Sequence, residues 1–238
     1  MFIDIIASLK SNYIERIYFS DGVFSPSEVV RFADDAGCDL FALTDHDTTD
    51  GLDEAQHMAD KLTVDLVSGV EISAFWRNMT IHIIGLDIDM NSDILQAGLV
   101  HNQQLRKERA EKIALGLWRA GIKDALEKTR ALSKTDMLTR THFAQMLIRE
   151  GYCKDMKSVF RRFLTGKKPG ASRVEWRSFD EVVGWIHAAG GLAVIAHPFR
   201  YRMTQTKIKN MLIEFKEVSV SYTHLRAHET EADLVCRL

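Results

Sequence analysis

The chain is poor in residues that staple or break a backbone. Its 238 residues hold three cysteines, Cys38, Cys153 and Cys236, and three prolines, Pro26, Pro169 and Pro198. An odd cysteine count with no C-x-x-C pair argues against a disulfide framework and predicts a reducing compartment, the cytoplasm. No apolar run approaches the roughly 20 residues that span a bilayer, and no basic segment followed by an apolar core opens the chain. Neither a membrane association nor a signal peptide is therefore expected. An excess of one charge is lacking too. With 31 basic and 33 acidic residues the formal net charge is −2. That excludes a molecule that binds polyanions with its whole surface, and any such affinity must be local. No internal repeat is present, and nothing in the sequence calls for an obligate protein partner.

What is there is an ordinary globular composition, 46% hydrophobic and 27% charged. It suffices for one α/β barrel, or one domain carrying a helical insertion. Ser25-Pro26-Ser27-Glu28 reads as a helix start: a capping serine, a proline in the first turn and a glutamate that reaches back. Val29, Val30 and Ala33 supply its inward face and Gly37 ends it. Leu40-Phe41-Ala42-Leu43 is a continuous apolar run typical of a buried parallel strand. A polar loop, 44–50, leads into a helix from Gly51 to about Leu62. Leu66-Val67, Gly69-Val70-Glu71 and Thr80 to Leu86 follow as strand signals. Alternating strands and helices predict a parallel α/β sheet or barrel. From about 94 to 180 the chain turns helical and charged; then Asp180 to Ala189 reads as a helix and Gly191 to Ala196 as a buried strand. These boundaries divide a single domain into barrel parts 19–93 and 181–220 and a helical insertion of about 94–180.

Candidate ligands recur at or near the ends of these strands: Asp45 and His46 after the first, Glu71 after Val70, His82 within the Thr80 strand, and His197 after Ala196. In α/β barrels the C-terminal strand ends build the active site. Imidazole and carboxylate together suit zinc, manganese or iron, and paired ions polarise a phosphoryl group and activate water. Each residue has a plainer alternative. His46 could be a solvated loop residue, Glu71 could face outward, His82 could be a core histidine and His197-Pro198 a simple turn. It is their recurrence at successive strands that favours a metal site.

The ordered phrases Phe19-Ser20-Asp21-Gly22, Leu43-Thr44-Asp45-His46-Asp47-Thr48-Thr49, Gly69-Val70-Glu71-Ile72-Ser73, Ile81-His82-Ile83-Ile84-Gly85-Leu86 and Ala196-His197-Pro198 resemble the PHP (polymerase and histidinol phosphatase) superfamily. Within it the likeness is to the TrpH-like phosphoesterase branch, that of the RNase AM-like 5′-3′ exoribonucleases. It runs from about Ser20 to Arg202 and includes Thr139-Arg140-Thr141-His142-Phe143-Ala144 and Val159-Phe160-Arg161-Arg162-Phe163-Leu164.

The resemblance implies a distorted (β/α)7 TIM-like barrel with two or three divalent ions, manganese first, with zinc or iron as alternatives. It implies Glu71 as a bridging ligand, His82 and His197 on one ion, and Asp21 and His46 on another. It puts His142 near the substrate phosphate with Arg140 beside it; the plainer alternative for His142 is a helix-start residue. The implied activity is hydrolysis of phosphate esters by metal-activated water, releasing a 5′-mononucleotide from short single-stranded RNA or phosphate from a nucleoside 3′,5′-bisphosphate. The alternatives are a histidinol-phosphatase-like phosphomonoesterase and a degenerate, non-catalytic metal- or nucleic-acid-binding fragment.

Two departures bear on those alternatives. The family opens with Asp-Leu-His-x-His, whereas residues 1–18 contain no histidine. Nor does a late Ser-Asp-x-His phrase occur, so an incomplete barrel is expected. The segment from 221 to 238 resembles a translated sequencing adapter rather than any protein family, and its His224, His228 and Cys236 are discounted as ligands. Between Lys154 and Arg177, by contrast, eight basic residues stand against Asp155 and Glu175. That is a local patch for phosphates around Gly166-Lys167-Lys168-Pro169-Gly170, with Phe160, Phe163 and Trp176 assigned to the core.

Overall fold

The fold begins where the sequence signals are strongest. In the computed structural model, which describes residues 3–7, 24–133, 137–201 and 203–223, helix α1 (Pro26–Asp35) starts on the expected capping box. Ser25 Oγ accepts from the Glu28 amide and the Glu28 side chain accepts from the Ser25 amide. Its buried face, Val29, Val30 and Ala33, packs with Phe41 and Leu43 of strand β2 (Leu40–Asp45) and with Leu52 and Ala55 of α2 (Leu52–Ala59). Five of the six β2 residues are buried, which explains why its sequence is continuously apolar rather than alternating.

Strand β3 (Asp65–Trp76) is long enough to have two partners. Its first residues pair in parallel with β2, Leu40 opposite Asp65 to Leu43 opposite Ser68. From Gly69 onward it pairs antiparallel with β4 (Met79–Leu86). Gly69 sits at the change of partner, where an added Cβ would stand 2.7 Å from Thr44 Cγ2 and 2.8 Å from the Leu43 carbonyl oxygen. The β3–β4 turn is Arg77-Asn78, both at positive φ (42° and 66°), the conformation of a two-residue hairpin connection. β5 (Leu192–Ile195) adds antiparallel to β4, and β1 (Ile3–Ala7) antiparallel to β2.

Among the described residues the sheet is therefore open, mixed and five-stranded, in the order β1-β2-β3-β4-β5, not the parallel array that the alternation of elements predicts. The reason is local. A two-residue turn cannot hold the crossover that parallel neighbours need, so β3 and β4 must run antiparallel. The coarser expectation, an α/β protein, is what the structure has.

Between β4 and β5 the described residues contain helices and no strand: α3 (Asp93–Arg119), α4 (Ala125–Leu132), α5 (Arg140–Arg149), α6 (Met156–Val159) with a π-helical turn at Phe160–Leu164, and α7 (Phe179–Ala188). Ile113, Leu117, Phe143, Met146, Leu147, Val159 and Leu164 form a second core there, with Phe160 and Phe163 packed against it. The N-terminal half of α3 lies on α7 through Gly98, where an added Cβ would be 2.4 Å from the Trp185 ring. These elements belong to one compact unit, Met1–Ala196; a second, His197–Leu238, carries a 3₁₀ turn at Pro198–Arg200 and helix α8 (Gln205–Thr223). No helix among the described residues is long and apolar enough to cross a membrane.

Candidate metal centre

Three donors converge where β2 stops and the β3–β4 hairpin continues. His46, the residue after β2, forms a parallel bridge with Glu71. The amide of Asp47 donates to the Glu71 carbonyl at 2.9 Å, so the loop main chain is tied to the strand beside it. On β4, two residues before Ile84, the cross-strand partner of Glu71, stands His82. Its Nδ1 lies 2.7 Å from Glu71 Oε1, and His46 Nδ1 lies 3.8 Å from Glu71 Oε2. The two imidazoles meet edge to face at 4.6 Å. Potential ligand atoms of His46, Glu71 and His82 all fall within 4.8 Å of one another. Glu71 has no exposed surface, while His46 and His82 keep a little.

The donor set fits a divalent cation. Burial first, with the nearby charges of His82 and Arg106 acting in the same direction, pushes His46 down to about 3 against the pull of Glu71. The ring is then neutral at physiological pH, with a lone pair available to a metal. Two imidazoles and a buried carboxylate suit zinc, manganese or iron better than calcium or magnesium, which prefer all-oxygen sites. Asp45, the last residue of β2, is 2% exposed and neither carboxylate oxygen has a partner among the described residues. Burial, with the charge of Asp50 adding to it, pushes its carboxyl up to about 7.

Behind the cluster lies a buried polar network that the sequence reading did not anticipate. Asp47 adopts φ +54°, and its carboxylate is fully enclosed. Oδ1 accepts from the Ser73 amide at 2.8 Å and from Asn102 Nδ2 at 2.8 Å. Oδ2 accepts from Ser73 Oγ at 2.9 Å and from Arg106 Nε at 2.6 Å. Arg106 also donates to Ser73 Oγ at 2.8 Å. Burial alone would raise the Asp47 carboxyl, but the Arg106 charge and these hydrogen bonds outweigh it and hold the group below the usual range. Gln103 Nε2 donates to the Asp47 carbonyl at 3.0 Å.

A second arginine stands one turn further along α3. Arg109 is 9% exposed, and its buried Nε has no hydrogen-bond partner among the described residues. Arg106 and Arg109 both lie over the Trp176 ring, at 5.4 and 5.6 Å. Burial and the repulsion of Arg106 and Arg140 lower the Arg109 guanidinium well below its ordinary value. A signal for these residues exists in the sequence. The buried stripe of α3 runs Leu95, Leu99, Asn102, Arg106, Arg109, Ile113, Leu117, a helical i+3/i+4 face whose three central members are polar. Polar side chains in the middle of an otherwise apolar stripe are there to meet a partner.

The other candidates are each described by their own surroundings. Asp21 lies outside the described residues. His142 occupies the third position of α5 and is 3% exposed; its Nδ1 accepts from the Thr139 amide at 3.1 Å, closing a capping box with Thr139 Oγ1. Arg140, at the start of the same helix, is exposed. His197 is the first residue of the second unit, at φ +34°, with its ring 5.3 Å from that of Tyr201. Trp176 is buried, as expected of a core aromatic, and all eight basic residues between Lys154 and Arg177 are exposed.

Comparison with known proteins gives a consistent result. Residues 16–218 match the PHP domain family. The chain is 43% identical over 198 residues to a 3′,5′-nucleoside bisphosphate phosphatase of Chromobacterium violaceum, covering 83% of this chain and 70% of that protein. It is 39% identical over 197 residues to a 5′-3′ exoribonuclease of Haemophilus influenzae, covering 83% and 72%. Among solved structures, an amidohydrolase from Chromobacterium violaceum with bound sulfate superimposes with a TM-score of 0.80 at 42% identity, covering 84% of this chain and 70% of that one.

Proposed function

This chain belongs to the PHP domain family, and we propose that it is a metal-dependent phosphoesterase whose substrates are nucleoside 3′,5′-bisphosphates and short 5′-phosphorylated RNA. The observation that carries the proposal is the convergence of His46, Glu71 and His82 on one point, with Glu71 fully buried between the two imidazoles. Relatives that share its sequence at about 40% identity bear the names of a nucleoside bisphosphate phosphatase and an exoribonuclease.

In this reading His46, Glu71 and His82 would be ligands in a centre of two or three divalent ions, manganese first. Such ions polarise a phosphoryl oxygen and supply activated water at neutral pH. The protein's own groups hold the substrate. Because His142 Nδ1 accepts the Thr139 amide, a neutral ring carries its proton on Nε2 and can donate it to a phosphate oxygen. Arg109, a buried cation whose Nε has no partner among the described residues, and the exposed Arg140 offer charge to a second phosphate. The exposed lysines 167 and 168 extend that field over the approach of a longer strand.

The same reading takes the sheet as part of a distorted (β/α)7 barrel within one PHP domain, residues 94–180 as an insertion, and the cytoplasm as the place of action. The test is direct. With manganese, the protein should release mononucleotides from a short 5′-phosphorylated RNA and phosphate from a nucleoside 3′,5′-bisphosphate. Hydrolysis of small sugar or histidinol phosphates with neither of these activities would instead make it a phosphomonoesterase of small metabolites.

A further inference from the structure

The Asp47 network does more than fill space. Asp47 follows His46 directly, and Ser73 follows Glu71 by two residues on the same face of β3, opposite His82. One carboxylate therefore grips the chain immediately beyond one donor and the strand immediately beyond another. Its backbone conformation, φ +54°, lies in the left-handed region, which aspartate tolerates better than most residues and which its surroundings hold in place here. Those surroundings come from α3. Asn102, Gln103 and Arg106 all reach Asp47 or its carbonyl, and Gln96 donates to Thr49 Oγ1 at 2.9 Å.

We propose that Asp47 and Arg106, with Ser73 and Asn102, are positioning residues that clamp the His46 loop onto β3 and so set the separation of His46 from Glu71 before a metal arrives. This rests on the reading of His46 and Glu71 as metal ligands. Two features favour positioning over simple packing. Both carboxylate oxygens are occupied twice, by donors from β3 and from α3, so the loop is fixed in direction as well as in place. And the main-chain bond from the Asp47 amide to the Glu71 carbonyl makes any rotation at Asp47 a displacement of His46 relative to Glu71. The helix after β4 is on this view a structural part of the metal centre, in addition to any contact it makes with substrate.

The test measures manganese affinity by titration calorimetry on the full chain, for wild type, His46→Ala, Ser73→Ala, Asp47→Asn, Arg106→Met and Leu99→Val. Ser73→Ala is mild enough to keep the fold while removing one link from each of Asp47 and Arg106. Leu99→Val trims a buried α3 residue in the apolar part of the same stripe and controls for general loss of stability. Ser73→Ala should weaken manganese about 10-fold, and Asp47→Asn and Arg106→Met up to about 100-fold, the range typical of groups that orient metal ligands. Leu99→Val should lower the melting temperature and leave the affinity unchanged. Affinities of Ser73→Ala and Arg106→Met that match wild type while His46→Ala loses its metal would overturn the clamp and leave the metal centre standing. A His46→Ala protein that binds manganese as wild type does would overturn both.

Discussion

His82 Nδ1 lies 2.7 Å from Oε1 of Glu71, a residue with no exposed surface, across two antiparallel strands joined by a two-residue turn. A hairpin holds two candidate ligands firmly, because the strand register fixes the positions of both at once. Glu71→Gln keeps the shape of this pair and removes one acidic oxygen donor. Manganese affinity should fall by more than the roughly 10–100-fold seen when an outer partner of a ligand is lost. The melting temperature of the metal-free protein should rise, since an amide costs less to bury than a carboxylate. Calorimetry and thermal unfolding of the same preparation check both.

Arg109 offers a similar trade. A guanidinium that is 9% exposed, with no partner for Nε among the described residues, is a cost to folding. Arg109→Met should stabilise the free protein by about 1 kcal/mol or more and raise KM for a nucleoside 3′,5′-bisphosphate by 10-fold or more, with a smaller change in kcat. Steady-state kinetics at fixed ionic strength separate the two parameters.

Opposing titrations meet at the end of β2. Asp45, raised to about 7, holds a proton in the folded state that the unfolded chain releases near its ordinary 3.8, so its contribution to stability is lost as pH rises between those values. His46, lowered to about 3, stays neutral where the unfolded chain protonates below 6.5, so its contribution is lost as pH falls from 6.5 toward 3. The two slopes nearly cancel between about pH 4 and 6.5 in the metal-free protein. Asp45→Asn removes one of them. Its stability should then rise with pH across that window by about 1.4 kcal/mol per unit more than wild type does, as followed by denaturant unfolding at several pH values.

Packing of the helical segment on α7 depends on a single missing methyl group. Gly98→Ala would set a Cβ 2.4 Å from the Trp185 ring, a large rigid group that would have to shift. The substitution gains helix propensity and should nonetheless destabilise by about 1–3 kcal/mol. Gly98→Ala combined with Trp185→Leu should recover most of that loss, which a double-mutant comparison of melting temperatures measures.

Much of this molecule is legible in one dimension because its signals are local. Ser25 to Glu28 specify a capping box within four residues, and Leu40 to Leu43 announce burial on both faces of β2. His46, Glu71 and His82 could be singled out because ionisable residues inside apolar runs need a reason to be there. The direction of β4 was missed although its cause is local: Arg77 and Asn78 leave no room for a crossover, and no glycine marks the turn.

What no local pattern could reveal is the company these residues keep. Asp47 finds Arg106 across 59 positions and Asn102 across 55. Hydropathy identifies the faces that seek burial, and so the helices, strands and candidate ligands follow from the order of residues. Which buried charge meets which, and hence whether a loop histidine is held against a strand carboxylate, depends on long-range geometry. Only after α3 has packed beside the β3–β4 hairpin do Asp47 and Arg106 share one low-dielectric site, where the cost of burying each is offset by the other.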